Sequence, residues 1–521
     1  MTEKVLAPAP LKDSVDRWFA LFAIVLMCLI LNIDGTAVNV SLIPVAKEMH
    51  AQLGVLQWIM SGYGLSWPIC VVISGKLSDV FGPRIMPLIG AFFFMIFSIW
   101  CALSQDVVFL ISGRFLQGVC AAISLPPLYG IIYEKFSPGH RGLAIGLLGM
   151  GSGVGTAVGP TVGGIILEYL DWHWIYYINV PLCIIVGLVL IFTIKKDKFI
   201  KKHQKIDFLS SFYLAALIGC SIYGINNIQA WGFGDYRLWV LFGCAVLAFI
   251  LLRLHGRDDT NPIIPKGSFS NKLYVTCLMG YAIIEYIFGA VVVIMGIYLQ
   301  SIAGYSALIT GMLFLSFALV LAVCSPLSGK LSNMVDPRIP TLTGLLVCAI
   351  GIIMCLFLGI HTSVWYFLLA LAFVGGMGLT IGPYNDNMLK TASPQAVNTL
   401  SGLYNMGAGI GFSLGIVVST SLLVGVAKWE LPSVLKKWDL RLSQKSTDIL
   451  DGMLGSAHRD YAKLETISEG SREVLIQALD QSFMSGFRGS LYLILGFAVI
   501  AAVITLLGMK IPKKIEKSGV T

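Results

Sequence analysis

Runs of about twenty apolar residues recur fourteen times along this chain, separated by short polar turns, and that recurrence constrains the fold more than any other feature. The spans fall at 18–43, 54–75, 85–104, 107–128, 142–167, 174–194, 207–227, 237–254, 272–300, 307–328, 339–359, 364–386, 397–426 and 487–509. A segment of this length can cross hydrocarbon only as a helix or in a closed barrel, because lipid offers no partner to backbone N–H and C=O groups. Composition removes the soluble classes: 56% of residues are hydrophobic and 12% charged, at a mean hydropathy of +0.82, where a soluble domain carries about 25% charged residues. The expected fold class is an all-α polytopic membrane protein. The first apolar run continues from Trp18 past Asp34 to Ile43 with no cleavage-site pattern, so it reads as a retained helix. The eleven cysteines lie singly in apolar stretches without a CxxC, and the seven histidines are scattered, so neither a disulfide framework nor a structural metal is expected.

Lysine and arginine set the orientation. With a cytoplasmic N-terminus the inside segments hold roughly 24 of them, while the short outside loops hold Lys47, with Arg237 at a helix edge. Fourteen helices then put both termini in the cytoplasm. The +8 net charge follows from this topology and calls for no nucleic-acid partner. One segment is not membrane-like: Lys428–Gln481 is charged and amphipathic, with Leu431, Val434, Leu435, Trp438 and Leu442 at helical spacing and Val474-Leu475-Ile476 further on. One or two surface helices outside are expected there.

An internal repeat organises the rest. Ser74-Gly-Lys-Leu-Ser-Asp79-Val-Phe-Gly-Pro83-Arg84-Ile85 returns 254 residues later as Ser328-Gly-Lys-Leu-Ser-Asn333-Met-Val-Asp-Pro337-Arg338-Ile339. Both copies fall in inside loops, after predicted helices 2 and 10, which implies parallel repeats. The expected organisation is an N-terminal six-helix bundle (1–194), two inserted helices with flanking loops (195–271), and a C-terminal six-helix bundle (272–521) with an extramembrane loop at 427–486.

Carboxylates at membrane depth are costly and mark candidate sites. Asp34 lies about nine residues, roughly 13 Å, below the outer end of helix 1, and Arg114 about seven residues, roughly 10 Å, below the same face on helix 4. Their matching depth predicts a direct or water-mediated pair. Burial raises a carboxyl pKa and a guanidinium lowers it, so such a pair is a candidate proton site. Glu285 is expected near mid-membrane on helix 9, with Tyr281 and Phe288 on its face, an arrangement suited to a lipophilic cation. Asp386 is expected near the cytoplasmic interface.

The motifs resemble the major facilitator superfamily, and within it the fourteen-helix drug:proton antiporter family. Asp34 to Pro44 is similar to the Asp-x-Thr-x-Val-Asn-Val-Ala-Leu-Pro pattern of helix 1, with Ser41 for Ala and Ile43 inserted. Gly75, Asp79, Gly82 and Arg84 match the superfamily's gating loop, although Val80 and Pro83 stand where basic residues are usual. Gly113-Arg114-Phe-Leu-Gln117-Gly118 resembles the helix 4 motif. Gly151, Gly155, Gly159, Pro160, Gly163 and Gly164 resemble the helix 5 motif associated with antiporters, and Trp172-His173-Trp174 through Asn179-Val-Pro181 resembles the start of helix 6, with His173 in place of Arg. The resemblance implies two six-helix bundles plus two inserted helices. Asp34 and Arg114 are the expected proton-coupling residues, Glu285 an expected substrate or second proton site, and Tyr63, Gln117 and Tyr281 expected substrate contacts. It implies no cofactor beyond a proton gradient, a lipid bilayer and a small-molecule substrate as partners, and a monomer in the cytoplasmic (inner) membrane exporting drugs. A periplasmic adaptor protein is left open as a partner. Two alternatives remain: export or uptake of an endogenous metabolite or siderophore on the same fold, and a transporter-like sensor. No catalytic triad, metal cluster or nucleotide loop points to an enzyme.

Overall fold

The computed structural model describes residues 14–50, 53–194, 207–232, 234–258, 262–265, 267–359, 362–438 and 472–509, with a few positions between 446 and 454. The described chain is helical: α1 (Ser14–Ala37), a 3-10 turn (Val38–Ser41), α2 (Leu42–Glu48), α3 (Leu53–Phe81), α4 (Ile85–Ala102), α5 (Val107–Lys135) and α6 (Pro138–Tyr169). The series continues with α7 (Trp174–Tyr177), α8 (Asn179–Thr193), α9 (Phe208–Trp231), α10 (Tyr236–Asp258), α11 (Lys272–Ser301) and α12 (Ala307–Leu331). It ends with α13 (Arg338–Leu356), α14 (Val364–Gly375), α15 (Gly378–Thr391), α16 (Val397–Lys437) and α17 (Arg472–Gly508). Among the described residues fourteen spans are long and apolar enough to cross a membrane. This is a multi-pass membrane protein with two six-helix bundles, α1–α8 and α11–α17, and the inserted pair α9–α10.

Several boundaries differ from the sequence reading. The first span is not one helix over 18–43: it passes into a 3-10 turn after Ala37. Pro44, in the first turn of α2, has no N–H to give Val40 and would crowd its carbonyl, which accounts for the tightened turn just beyond Asp34. The twelfth span breaks at Gly376–Met377 into α14 and α15, where two consecutive glycines weaken the helix. The thirteenth does not stop near 426. It runs unbroken to Lys437, burying Leu431, Val434 and Leu435 against the start of α17, which begins at Arg472 instead of 487. Over 428–437 and 472–486 the amphipathic pattern is an extension of two spanning helices; the surface helix expected between them, with Leu442, falls mostly outside the described residues.

The bundles meet along two seams, α3 with α16 and α6 with α12. Close approach explains the small residues on these helices. A Cβ at Gly75 would overlap the backbone of Asn398 and Thr399, and Gly142 and Gly329 face each other's backbone. Within the N-terminal bundle the stripe Gly151, Gly155, Gly159, Gly163 lies in turn on the carbonyls of Val25, Leu29, Ile33 and Ala37, one turn of α6 against one turn of α1 at each step. Gly164 points the other way, towards Leu308 of α12, and Pro160 is carried inside the helix. The α5 helix absorbs Pro126 and Pro127; the carbonyl of Ile123, which Pro127 cannot satisfy, accepts a hydrogen bond from Ser74 Oγ at 3.0 Å.

Candidate functional site

Four helices of the N-terminal bundle converge on Asp34, whose side chain is buried. Arg114 Nη1 on α5 donates to Asp34 Oδ2 at 2.5 Å, and Asn179 Nδ2 at the start of α8 donates to Oδ1 at 2.6 Å. The same Arg114 nitrogen reaches Gln117 Oε1 at 2.8 Å, and Arg114 Nε donates to the Ile59 carbonyl at 3.1 Å. Gln117 Nε2 in turn donates to Ser98 Oγ on α4 at 2.8 Å. The Tyr63 ring lies 4.6 Å from the guanidinium carbon, and Tyr63 Oη donates to the Leu31 carbonyl at 2.9 Å. Asp34 and Arg114 both have 0% side-chain exposure, so the pair is stripped of bulk water. Two polar atoms here have no hydrogen-bond partner, Arg114 Nη2 and Tyr176 Oη. Buried donors are rarely left so.

The carboxylate thus has one cation and one amide on it, with the 3-10 turn that ends its own helix just beyond. Among the described residues Asp34 is the one ion-pair partner of Arg114, so the buried guanidinium is balanced by this single carboxylate. Tyr63 and Gln117, named as substrate contacts from sequence, fall in this network. Ser98 carries no sequence signal, and Asn179 stands out in the sequence only as part of the Asn-Val-Pro start of helix 6, not as a partner of Asp34.

Glu285 occupies a different centre. It keeps some exposed surface in the middle of α11, while its neighbours Ile284 and Tyr286 are buried. The Tyr281 hydroxyl reaches its carboxylate, and Tyr129 of α5 is close enough to interact with it electrostatically. Tyr281 stacks on Tyr404 of α16 with centroids 4.6 Å apart and planes 2° apart. Phe288 is turned into the core against Phe317 and Phe412. Among the described residues no lysine, arginine or histidine pairs with Glu285.

The repeated loops close both seams at one face. Both Asp79 oxygens accept from the first turn of α16: Oδ1 from Asn398 N at 3.1 Å and Asn398 Nδ2 at 2.9 Å, Oδ2 from Thr399 N at 2.9 Å and from Thr399 Oγ1. A carboxylate on exposed helix N–H groups is a favourable charge–dipole arrangement. Among the described residues no arginine pairs with Asp79. Arg84 instead caps the end of α8 through the Ile191 carbonyl at 3.1 Å, and its counterpart Arg338 caps the end of α17 through the Met509 carbonyl. Gly82 follows α3 with φ of 100°, the left-handed helix end that glycine permits. Asn333 differs from Asp79: its amide donates to the Gly139 carbonyl at 3.0 Å at the start of α6. Asp386 is 1% exposed and pairs with Lys390 one turn on, at 2.6 Å.

A buried ion pair inside one of two bundles, paired seams and motif loops at one face define a transporter, not an enzyme. The chain belongs to the Major Facilitator Superfamily, whose family model matches residues 22–416. It is 28% identical to the "Tetracenomycin C resistance and export protein" of Streptomyces glaucescens, over 77% of this chain and 75% of that one. It is 25% identical to "Multidrug resistance protein 3" of Bacillus subtilis, over 94% of each. Among solved structures the human organic anion transporter MFSD10 (TETRAN) superposes with a TM-score of 0.60 at 12% identity, covering 94% of this chain and 99% of that one, a likeness of fold.

Proposed function

We propose that this chain is a proton-coupled efflux antiporter that exports drugs or other lipophilic or cationic compounds across the cytoplasmic membrane by alternating access. The observation that carries the reading is the buried Asp34–Arg114 pair with Asn179 and Gln117 on its open valences. The ionised carboxylate draws Arg114, and through it α5, towards α1. Protonation removes that attraction, and the 3-10 turn after Ala37 is the place where α1 can bend in response. The similarity to resistance and export proteins supports outward transport of drug-like cargo. The charge bias of the loops supports a cytoplasmic N-terminus, which puts the Asp79 latch on the inner face. There it would hold the inner side shut while the outer side exchanges proton for cargo.

Antiport requires that cargo and proton oppose each other's binding by the same factor. Purified protein in weakly buffered detergent should therefore release protons when a transported drug is added, and the Asp34→Asn protein should release none. Equal release from the variant would overturn the assignment of Asp34.

A further inference from the structure

The hydrogen bonds around Asp34 close into a ring across α1, α5, α4 and α8. Arg114 Nη1 joins Asp34 Oδ2 to Gln117 Oε1, and Gln117 Nε2 reaches Ser98 Oγ. Asn179 Nδ2 completes it, 3.4 Å from the same Ser98 oxygen and 2.6 Å from Asp34 Oδ1. An ionised carboxylate only accepts, and both of its neighbours here present N–H groups. The ring therefore suits Asp34 in its charged form alone. A protonated Asp34 would set an O–H against the Asn179 N–H, donor facing donor, at a position 1% exposed.

Asn179 is the member of the ring that can relieve this conflict. Gln117 Oε1 is already taken by Arg114 and by Cys101 Sγ, and Ser98 Oγ receives two N–H groups. Asn179 Oδ1 accepts no hydrogen bond among the described residues. A half-turn of the amide exchanges its nitrogen for its oxygen and puts an acceptor opposite Asp34 Oδ1. The same oxygen then lies within reach of the Ser98 hydroxyl proton. Besides Arg114, the titratable groups acting on Asp34 are Tyr63 of α3, Cys101 of α4, Tyr176 of α7 and Cys183 of α8. Phenols and thiols are uncharged at neutral pH, so the charge balance of the site is that of Asp34 and Arg114.

We propose that Asn179 is a positioning residue for the proton on Asp34: its amide donates to the ionised carboxylate and turns to accept from the protonated one. This rests on the proton-coupled reading above. The proton is taken up from water on Oδ1, where Asn179 sits, while Arg114 stays on Oδ2.

The test is infrared difference spectroscopy, acid minus alkaline, on purified protein carrying side-chain 13C-labelled asparagine. Acidification should bring up a protonated carboxyl band that the Asp34→Asn protein lacks. Together with it, one labelled amide C=O band should move to lower wavenumber, as a carbonyl does on gaining a donor, and this shift should be missing from both Asn179→Thr and Asp34→Asn. In proteoliposomes Asn179→Leu, which can neither donate nor accept, should lose gradient-driven drug flux. Asn179→Thr, whose hydroxyl can do either, should recover part of it. A carboxyl band of Asp34 with no labelled amide shift, a shift that persists in Asn179→Thr, or native flux in Asn179→Leu would overturn the proposal and leave Asp34 as the proton site. So would an Asp34 band displaced by Tyr176→Phe and not by Asn179→Thr, which would make the Tyr176 hydroxyl the acceptor. If no carboxyl band is lost in Asp34→Asn, the reading of Asp34 as the proton site falls, and the role of Asn179 with it.

Discussion

At the scale of single residues, the Asp34–Arg114 pair is both a structural and a functional commitment. Removing one partner of a buried pair leaves an uncompensated charge and costs about 3–5 kcal/mol, whereas replacing both with neutral groups is far less damaging. Asp34→Asn and Arg114→Gln should therefore each lower the thermal unfolding midpoint, the double variant should recover much of the loss, and none of the three should transport. A double variant no more stable than the singles would show that the pair does not stabilise the bundle in this way. Arg114→Lys should also be inactive in a transport assay, because one ammonium cannot reproduce the fork that holds the Ile59 carbonyl, Asp34 and Gln117 together. These two residues could be matched from sequence because helical rise converts residue counts into depth. Asn179 and Ser98 could not, since which face of α8 or α4 looks inward depends on packing that an apolar run does not encode. Beside Glu285, Tyr281 was legible from helical spacing, whereas Tyr129 and the Tyr404 that stacks on Tyr281 were not, being supplied by α5 and α16, far from α11 in sequence.

At the scale of elements, the glycine stripe of α6 and the repeated loops carry the argument. A side chain at Gly155 would drive into Leu29 and Asn32 of α1, whereas Gly187 on α8 has open space around it. Gly155→Leu should sharply reduce the folded, monodisperse fraction in detergent, and Gly187→Leu should leave it near native; equal behaviour of the two would contradict the packing. The stripe's four-residue spacing was legible in sequence, but the identity of its partner helix was not. The loop repeat was legible too, yet its copies do different things. Arg84 and Arg338 both cap a terminal helix of their own bundle, while Asp79 accepts from α16 and Asn333 donates to a carbonyl of the α6 end. Asp79→Asn removes the charge from the α16 N-terminus, an effect of about 0.3–2 kcal/mol. Amide hydrogen exchange over residues 397–405 should then be faster, and unchanged protection would mean that Asp79 does not hold that seam. Helix ends misread from sequence, at 426 and 487, were lost because α16 and α17 continue as amphipathic helices that bury one face on each other beyond the apolar core.

At the scale of the whole molecule, the central claim is the proposed one: the N-terminal bundle carries the proton site, where one buried acid is met by an arginine and an amide from two other helices. The fourteen spans and their parallel repeat were written in the apolar pattern, because lipid imposes a length that sequence must meet. The seams between the bundles were not, since they are made by helices far apart in sequence, α3 with α16 and α6 with α12. The most direct measurement is drug flux in proteoliposomes carrying an imposed pH gradient. Native protein should move drug against the flow of protons and stop when the gradient is collapsed, and Asp34→Asn should show no gradient-driven flux while still binding the drug. Gradient-driven flux in the Asp34→Asn protein equal to that of the native protein would contradict the account.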